Sequence, residues 1–156
     1  MGKQAHRPII SVVMCTFNGE QFVAEQLQSI LAQTVTPDEI IVSDDGSSDS
    51  TLDVVEQIRR DSDVAVRWDI RTRANPLGPA QNFESAMRVA KGDLIALADQ
   101  DDVWVPNKLE VLMRRLANSA SALLVHSDAR LTDELGREGS TLMRALALTR
   151  HERQSL

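Results

Sequence analysis

The chain has 156 residues, with 17 Lys and Arg against 23 Asp and Glu, and a formal net charge of −6 at pH 7. Hydrophobic residues make up 42% and charged residues 26%, a balance typical of a soluble globular domain and not of a disordered or fibrous chain. The acidic excess argues against a general nucleic-acid binder, because such proteins usually carry a basic surface. Cys15 is the only cysteine, which excludes an intrachain disulfide.

The sequence gives no sign of a membrane span or a secretory signal. Its longest apolar run, residues 9–15, is interrupted by Ser11 and is far too short to cross a bilayer. Residues 1–8 are polar and basic and lack an apolar core. We therefore expect a cytoplasmic protein with a polar tail over residues 1–8, one domain over 9–139, and an uncertain segment over 140–156.

Short apolar runs recur along the chain at the spacing of strands. Most are continuous and β-branched, which is typical of strands buried on both faces of a sheet. The third run instead alternates apolar and polar residues, which predicts a half-exposed strand nearer the edge. The predicted strands cover residues 9–15, 39–43, 64–71, 94–98 and 122–126.

Between these runs, apolar residues recur at helical spacing. Each stripe would give a helix one apolar face. Gly92 is expected to end the third helix and Pro106 to lie in the first turn of the fourth, while residues 131–139 indicate a polar turn or hairpin. The four stripes are Val23, Leu27, Ile30 and Leu31; Leu52, Val55 and Ile58; Phe83, Ala86, Met87 and Ala90; and Leu109, Leu112, Met113 and Leu116.

Alternating strands and helices predict the fold class. Repeated βαβ units form an α/β fold with a mostly parallel sheet and helices on both faces. In such sheets, ligands bind beyond the carboxyl ends of the strands. Three strand ends carry polar segments, and parallel strands place these ends at one edge. The three segments are residues 16–19, 44–51 and 99–102.

The gathered carboxylates indicate a cation site. Like charges at close range repel and raise each other's pKa, which a divalent ion would relieve. Mg²⁺ and Mn²⁺ favour carboxylate oxygen and take further ligands from phosphates. Asp99 and Asp101 are two residues apart, so an extended strand end would point both to one side. Either both bind one ion or one binds a sugar hydroxyl; alternatively, they cap the following helix.

The segment after the second strand also indicates a binding role. Gly46 permits a positive φ and a close approach of the backbone. Ser47 to Ser50 can cap the next helix, but the adjacent carboxylates Asp44 and Asp45 exceed what capping needs. The Asp45 carboxylate could accept a hydrogen bond from a nucleobase N–H or a ribose hydroxyl.

Three blocks of the sequence, residues 11–19, 41–51 and 92–109, resemble the inverting family 2 glycosyltransferases. The resemblance covers about residues 9–135 and is closest to bacterial members, often described as rhamnosyltransferases, that build surface polysaccharides. It implies a Rossmann-like GT-A fold with three layers, as found in nucleotide-diphospho-sugar transferases, here truncated at the C-terminal side.

The resemblance also implies roles for particular residues. The segment from Cys15 to Phe17 would contact a uracil or thymine base, and Phe17 stands where the family often has tyrosine. Asp45 would bind the base, Asp99 would lie nearer the ribose, and Asp101 would bind the Mg²⁺ or Mn²⁺ that bridges the diphosphate. The donor-binding residues implied in this way are Cys15, Thr16, Phe17, Asn18, Asp45, Gly46, Asn75, Gly78, Asn82, Asp99 and Gln100, and the metal ligands are Asp101 and Asp99.

The implied reaction moves a sugar, with inversion, from a UDP- or dTDP-linked donor to a saccharide or lipid-linked acceptor. It passes through an oxocarbenium-like transition state, and a general base must activate the acceptor hydroxyl. The family supplies that base from a later Asp or Glu, and we find no equivalent in this chain. We therefore expect the donor-binding half of a longer enzyme, with peripheral membrane association and a homodimer as further expectations.

Two other functions compete with this interpretation. One is a non-catalytic nucleotide-binding module. The other is a phosphotransferase of the haloacid-dehalogenase type, because residues 99–103 fit its Asp-x-Asp-x-Val pattern; that family, however, places the motif on its first strand. A redox Rossmann domain is disfavoured because no Gly-x-Gly-x-x-Gly follows the first strand.

Overall fold

The computed structural model describes residues 7–133 and 137–142. The chain divides into two compact units, Met1–Leu109 and Glu110–Leu156. The helices and strands, in chain order, are β1 Ile10–Thr16, α1 Val23–Leu31, β2 Glu39–Asp44, α2 Thr51–Asp61, β3 Arg67–Thr72, α3 Pro79–Met87, β4 Leu94–Asp99, α4 Lys108–Ala117, β5 Arg130–Thr132 and β6 Glu138–Thr141.

The first unit contains a parallel sheet with the strand order β3-β2-β1-β4. This confirms the predicted α/β class and the edge position of the third strand. The chain steps from β1 to β2 to β3 in one direction and then returns to place β4 on the far side of β1. Right-handed crossovers therefore put α1 and α2 on one face and α3 on the other. The order reverses at β1, where open α/β sheets bind their ligands.

The core lies around the two central strands. β1 and β2 are covered on both faces, which explains the short apolar runs at their centres, residues 12–15 and 40–42. On the face covered by α3, Val13, Ile41 and Ala86 form a buried cluster. The edge strand β4 is less covered, and its side chains Ile95 and Leu97 remain 42% and 50% exposed.

Three expectations from the sequence are wrong. Pro106 lies before α4, which begins at Lys108, and not in its first turn. Residues 122–126 form no strand, and Leu123 is 98% exposed. A strand needs a neighbour for its backbone groups, and within the described residues this apolar run has none. Gly92 does not end α3, which stops at Met87. It lies close to β1: a Cβ on Gly92 would be 2.6 Å from the backbone nitrogen of Ser11, so this position has no room for a side chain.

The second unit includes a short hairpin. β5 pairs antiparallel with β6, which confirms the expected hairpin near residues 131–139. Of the segment 140–156, residues 143–156 lie outside the described residues, so the expected domain boundaries stay predictions. Across residues 7–133 and 137–142, no helix is long and apolar enough to span a bilayer.

The Asp44 carboxylate holds the ends of three strands together. It is fully buried, at the end of β2. It accepts hydrogen bonds from the hydroxyls of Thr16 on β1 (2.9 Å) and Thr72 on β3 (3.1 Å), its register partners. It also accepts from the backbone N–H of Gly46 (3.1 Å) and from the N–H and hydroxyl of Ser47. The chain is thereby fixed at the turn that follows β2.

We predict that Asp44→Ala lowers the free energy of unfolding by at least about 3 kcal/mol, because the buried Thr16 hydroxyl and several partly buried donors lose their shared acceptor. Urea denaturation measures this change. The matched control Asp63→Ala removes an exposed loop carboxylate and should change stability by less than about 0.5 kcal/mol. Equal midpoints for the two variants would show that the Asp44 carboxylate does not stabilise these strand ends.

Candidate functional site

A cavity of about 370 Å³ lies at the carboxyl ends of β1 and β4 and beside the start of α3. Its volume is in the range of small-molecule sites. Cys15 and Asp99 are register partners on β1 and β4, so their side chains lie on the face of the sheet that α3 covers. The lining residues are Cys15, Thr16, Phe17, Asp45, Pro76, Gly78, Pro79, Asn82, Phe83, Asp99, Gln100 and Asp101.

Most of the residues implied by the family resemblance line this cavity. They come from four separate segments: the end of β1, the turn after β2, the start of α3 and the end of β4. The convergence places the carboxylates of Asp45, Asp99 and Asp101 in the wall of a single cavity. The predicted residues that line it are Cys15, Thr16, Phe17, Asp45, Gly78, Asn82, Asp99, Gln100 and Asp101.

Three of the implied donor-binding residues lie outside the cavity lining. Asn18 adopts a positive φ of 47°, and its side-chain oxygen accepts from the backbone N–H of Ser48 (2.9 Å). Gly46 has a φ of 90°, and a Cβ there would lie 3.0 Å from the carbonyl oxygen of Arg73. Asn75 is exposed. Asn18 and Gly46 therefore shape the loops that carry the site.

Sequence reasoning missed three lining residues, Pro76, Pro79 and Phe83. Phe83 was assigned to the apolar stripe of α3, although it lies one turn after Pro79 and therefore on the same side of the helix. A signal was available in Gly78-Pro79, since a positive φ of 82° at Gly78 followed by proline at the first helical position marks a sharp entry into α3.

Asp45 is a lining residue that also holds a loop. It is 5% exposed, and its carboxylate accepts hydrogen bonds from the backbone N–H groups of Leu77 (2.9 and 3.0 Å) and Gly78 (2.8 Å). The Nε of Arg73 lies 3.5 Å from the same carboxylate. A carboxylate has about four acceptor positions, so capacity remains for a donor inside the cavity.

Both the nitrogen and the oxygen of the Asn82 carboxamide form hydrogen bonds to β2. Its Nδ2 donates to the carbonyl oxygen of Ser43 (2.8 Å), and its Oδ1 accepts from the Ser43 hydroxyl (2.6 Å). The side chain is 2% exposed. Arg73 also donates to that hydroxyl (3.1 Å). This network fixes the first turn of α3 against β2 and so sets the width of the cavity.

The other end of the cavity is acidic. Burial raises the pKa of Asp99, and the nearby charges of Asp102 and Asp101 raise it further. Burial lowers the pKa of Lys108, while Asp102 and Asp99 act in the opposite direction. The Lys108 ammonium lies 4.6 Å from the centroid of the Trp104 ring. Carboxylates that repel one another form a favourable place for a cation.

Asp99 and Asp101 fit a divalent ion for which the protein would supply only some of the ligands. Asp99 and Asp101 supply carboxylate oxygens beside one cavity. Within residues 7–133 and 137–142, no group of three or more His, Cys, Asp and Glu side chains is arranged to hold a metal. An ion bound here would therefore complete its coordination with water or ligand oxygens, as Mg²⁺ commonly does.

The Cys15 thiol lies in this wall as a neutral group. Burial raises its pKa to about 12, the Asp45 charge raises it, Arg73 lowers it, and Asp99 raises it. The thiolate, which is the nucleophilic form, is therefore almost absent at neutral pH. Cys15 contributes a small apolar surface to the cavity.

We predict that iodoacetamide alkylates Cys15 in the folded protein at pH 8 roughly a thousandfold more slowly than in the urea-unfolded chain, where the thiol has an ordinary pKa of about 8.5. Mass spectrometry of the intact chain follows the reaction without ambiguity, because the sequence has a single cysteine. Rates within tenfold of each other would show that the thiol is neither desolvated nor surrounded by carboxylates.

Residues 11–155 match the sequence profile of glycosyl transferase family 2. The chain belongs to this family. Membership overturns the haloacid-dehalogenase alternative. A curated relative, the GalNAc(5)-diNAcBac-PP-undecaprenol beta-1,3-glucosyltransferase of Campylobacter jejuni, is 31% identical over 137 residues, which cover 85% of this chain and 43% of that protein. This chain spans 33% to 43% of the length of the first curated relatives.

Solved structures share the fold. S. aureus TarS 1–349, solved with UDP, superposes with a TM-score of 0.62 at 22% identity, covering 83% of this chain and 43% of that chain. The mannosyltransferase PcManGT of Pyrobaculum calidifontis, solved with GDP-Man and Mn²⁺, gives 0.66 at 24% identity, covering 73% and 34%. The family 2 chain described here therefore has the GT-A fold.

Proposed function

We propose that this chain is the donor-binding part of an inverting glycosyltransferase that moves a sugar from a nucleotide diphosphate to a saccharide or lipid-linked acceptor in the synthesis of surface polysaccharide. The observation that carries the proposal is the meeting of Asp45, Asp99 and Asp101 around one cavity, at the reversal point of the sheet. Family membership adds the class of reaction.

The nucleobase would lie at the end of the cavity formed by Cys15, Phe17 and Asp45. An aromatic ring offers a stacking surface to a base. Uracil and thymine carry one ring N–H, and the Asp45 carboxylate keeps acceptor capacity for such a donor. We therefore propose UDP- or dTDP-linked sugars. The two solved structures named above contain a uridine and a guanosine nucleotide respectively, so the base preference is to be measured by comparing UDP, dTDP and GDP.

The diphosphate would lie at the acidic end. Asp101, together with Asp99, would hold a Mg²⁺ or Mn²⁺ ion, and Asp99 would also face the ribose. When bound, the ion supplies Lewis-acid stabilisation of the charge that grows on the departing diphosphate. The chain's own task would be to hold the donor in the cavity with its diphosphate beside Asp99 and Asp101.

The acceptor hydroxyl needs a general base. Among the described carboxylates of the cavity, Asp45 is engaged by the Leu77 and Gly78 amides, and Asp99 and Asp101 are assigned to the diphosphate end. We therefore propose that the base comes from a residue outside the cavity described here.

The cellular setting is part of the proposal. The Campylobacter jejuni relative is named for an undecaprenol-linked acceptor, which supports a lipid-linked acceptor. We also propose a place at the cytoplasmic face of the membrane. Exposure of Ile95 and Leu97 on β4 is compatible with the expected homodimer, which stays a prediction.

The proposal predicts metal-dependent binding of UDP, measured by calorimetry with Mn²⁺ and with EDTA. Asp101→Asn should weaken UDP binding in Mn²⁺ by at least about tenfold, or ~1.4 kcal/mol, because the ion loses a charged ligand. The matched control Asp63→Asn makes the same change on an exposed loop, outside the cavity lining, and should shift the affinity by less than about threefold, or ~0.7 kcal/mol.

Two results would count against this proposal. If UDP binds equally well in Mn²⁺ and in EDTA, no metal takes part in binding. If UDP, dTDP and GDP all fail to bind, the cavity is not a nucleotide site.

The raised pKa of Asp99 predicts a pH dependence. A carboxyl whose pKa is raised takes up its proton at a higher pH than the ordinary ~3.9, and the protonated form binds cations poorly. Binding of UDP-glucose in Mn²⁺ should therefore weaken as the pH falls, beginning above the usual aspartate range. Titrations from pH 8 to pH 4 measure this, and UDP-glucose avoids the terminal phosphate that titrates in UDP. In Asp99→Asn the binding should be weaker and flatter; an unchanged profile would contradict the assignment.

A further inference from the structure

Gln100, between the two acidic residues, clamps the backbone of Phe17. Its Oε1 accepts from the Phe17 N–H (2.9 Å), and its Nε2 donates to the Phe17 carbonyl oxygen (3.1 Å). The last paired residues of β1 and β4 are Cys15 and Asp99. The Gln100 carboxamide thus continues the pairing of these two strands beyond the point where their backbones separate.

Gly19 leaves the room that this clamp needs. A Cβ on Gly19 would lie 2.3 Å from the Gln100 Oε1, whereas its φ is not in the left-handed region. The other side of the same loop is held by the segment after β2: the Asn18 N–H donates to the Ser47 hydroxyl (2.8 Å) and the Gly19 N–H to the Thr51 hydroxyl (2.8 Å). The loop is therefore fixed from two sides.

Phe17 is the residue whose place the clamp determines. Its side chain is 51% exposed and lines the cavity together with Gln100. A half-exposed ring has few packing contacts to hold it, so the position of its backbone decides where the ring lies. A side chain that fixes a binding loop before the ligand arrives lowers the entropy lost on binding.

We propose that Gln100 is a positioning residue, which fixes Phe17 at the cavity wall and so sets how tightly the base end of the donor is held. The inference rests on the proposed function, since it assumes a nucleotide in this cavity. Three neighbouring residues then have different roles: Asp99 and Asp101 bind at the diphosphate end, and Gln100 acts on the base end through the backbone of Phe17.

This division has a measurable consequence. A ligand with a base should depend on Gln100, whereas Mn²⁺-pyrophosphate, which has no base, should not. Loss of folding or of the cation site would weaken both ligands together. The ratio of the two affinities therefore separates positioning of Phe17 from a general structural role.

The experiment compares UDP and pyrophosphate, each with Mn²⁺, by calorimetry on the wild-type chain, Gln100→Ala, Phe17→Ala and the double variant. Gln100→Ala should weaken UDP at least about tenfold and pyrophosphate less than about twofold. In the Phe17→Ala background the same change should weaken UDP less than about threefold further, because residues that act through one another are not additive. Gln57→Ala, on the exposed side of α2, is the matched control and should change neither affinity.

Gly19→Ala tests the clamp from its other side. The added methyl takes the place of the Gln100 Oε1, which belongs to the end of a flexible side chain, so the carboxamide should leave Phe17 while the fold persists. This variant should show the same selective loss of UDP binding, and no further loss when combined with Gln100→Ala. If Gln100→Ala does not fold, Gly19→Ala alone tests whether Gln100 positions Phe17.

The outcomes separate the two proposals. If the wild-type chain binds pyrophosphate but no nucleotide, the proposed function is wrong and the inference falls with it. If wild-type binds UDP and Gln100→Ala binds it equally well, or weakens both ligands alike, only the inference is overturned. Full additivity of the Gln100 and Phe17 changes would overturn it too.

Discussion

The site depends on one constraint: every buried polar group at the carboxyl ends of the strands needs a hydrogen-bonding partner. The adjacent carboxylates of Asp44 and Asp45 meet this requirement on opposite faces of the sheet. Asp44 lies on one face of β2 and accepts from Thr16, Thr72 and the following turn. Asp45 is turned towards the face covered by α3 and accepts from the loop before that helix. The pair fixes the loops on both sides of the sheet, and only the second carboxylate reaches the cavity.

The physics of burial explains which parts of the fold were predictable. A strand covered on both faces is usually apolar at its centre, so the apolar runs of β1 and β2 predicted both strands, and the alternation in β3 predicted an edge strand. Hydropathy does not specify a pairing partner, which is why the apolar run 122–126 was wrongly expected to be a strand. Gly92 resembled a helix stop, but its lack of a side chain serves the close approach of Ser11, a contact between segments far apart in sequence.

In the candidate site, too, the order of the elements was predictable, whereas contacts between distant residues were not. Convergence of Asp45, Asp99 and Asp101 followed from the rule that parallel strands end at one edge, which needs only the order of elements. The direction of a loop side chain depends on contacts that no local pattern contains. Asn18 therefore lay in the expected loop but faces Ser48 instead of the cavity. The clamp between Gln100 and Phe17 joins residues 83 positions apart, and neither residue alone indicates it.

Electrostatics links the two ends of the cavity. A diphosphate that approaches alone meets the carboxylates of Asp45, Asp99 and Asp101 in a chain of net charge −6, with Lys108 as a partly desolvated cation nearby. A divalent ion that approaches alone finds two carboxylates and too few further protein ligands among the described residues. Under the proposed function, each species would supply what the other lacks, since the ion would cancel the repulsion and the diphosphate would complete the coordination. Binding of one should therefore strengthen binding of the other by the same factor, as linkage requires. The shape of the cavity would then need to recognise only the base, because charge would select the metal-bound form of the ligand.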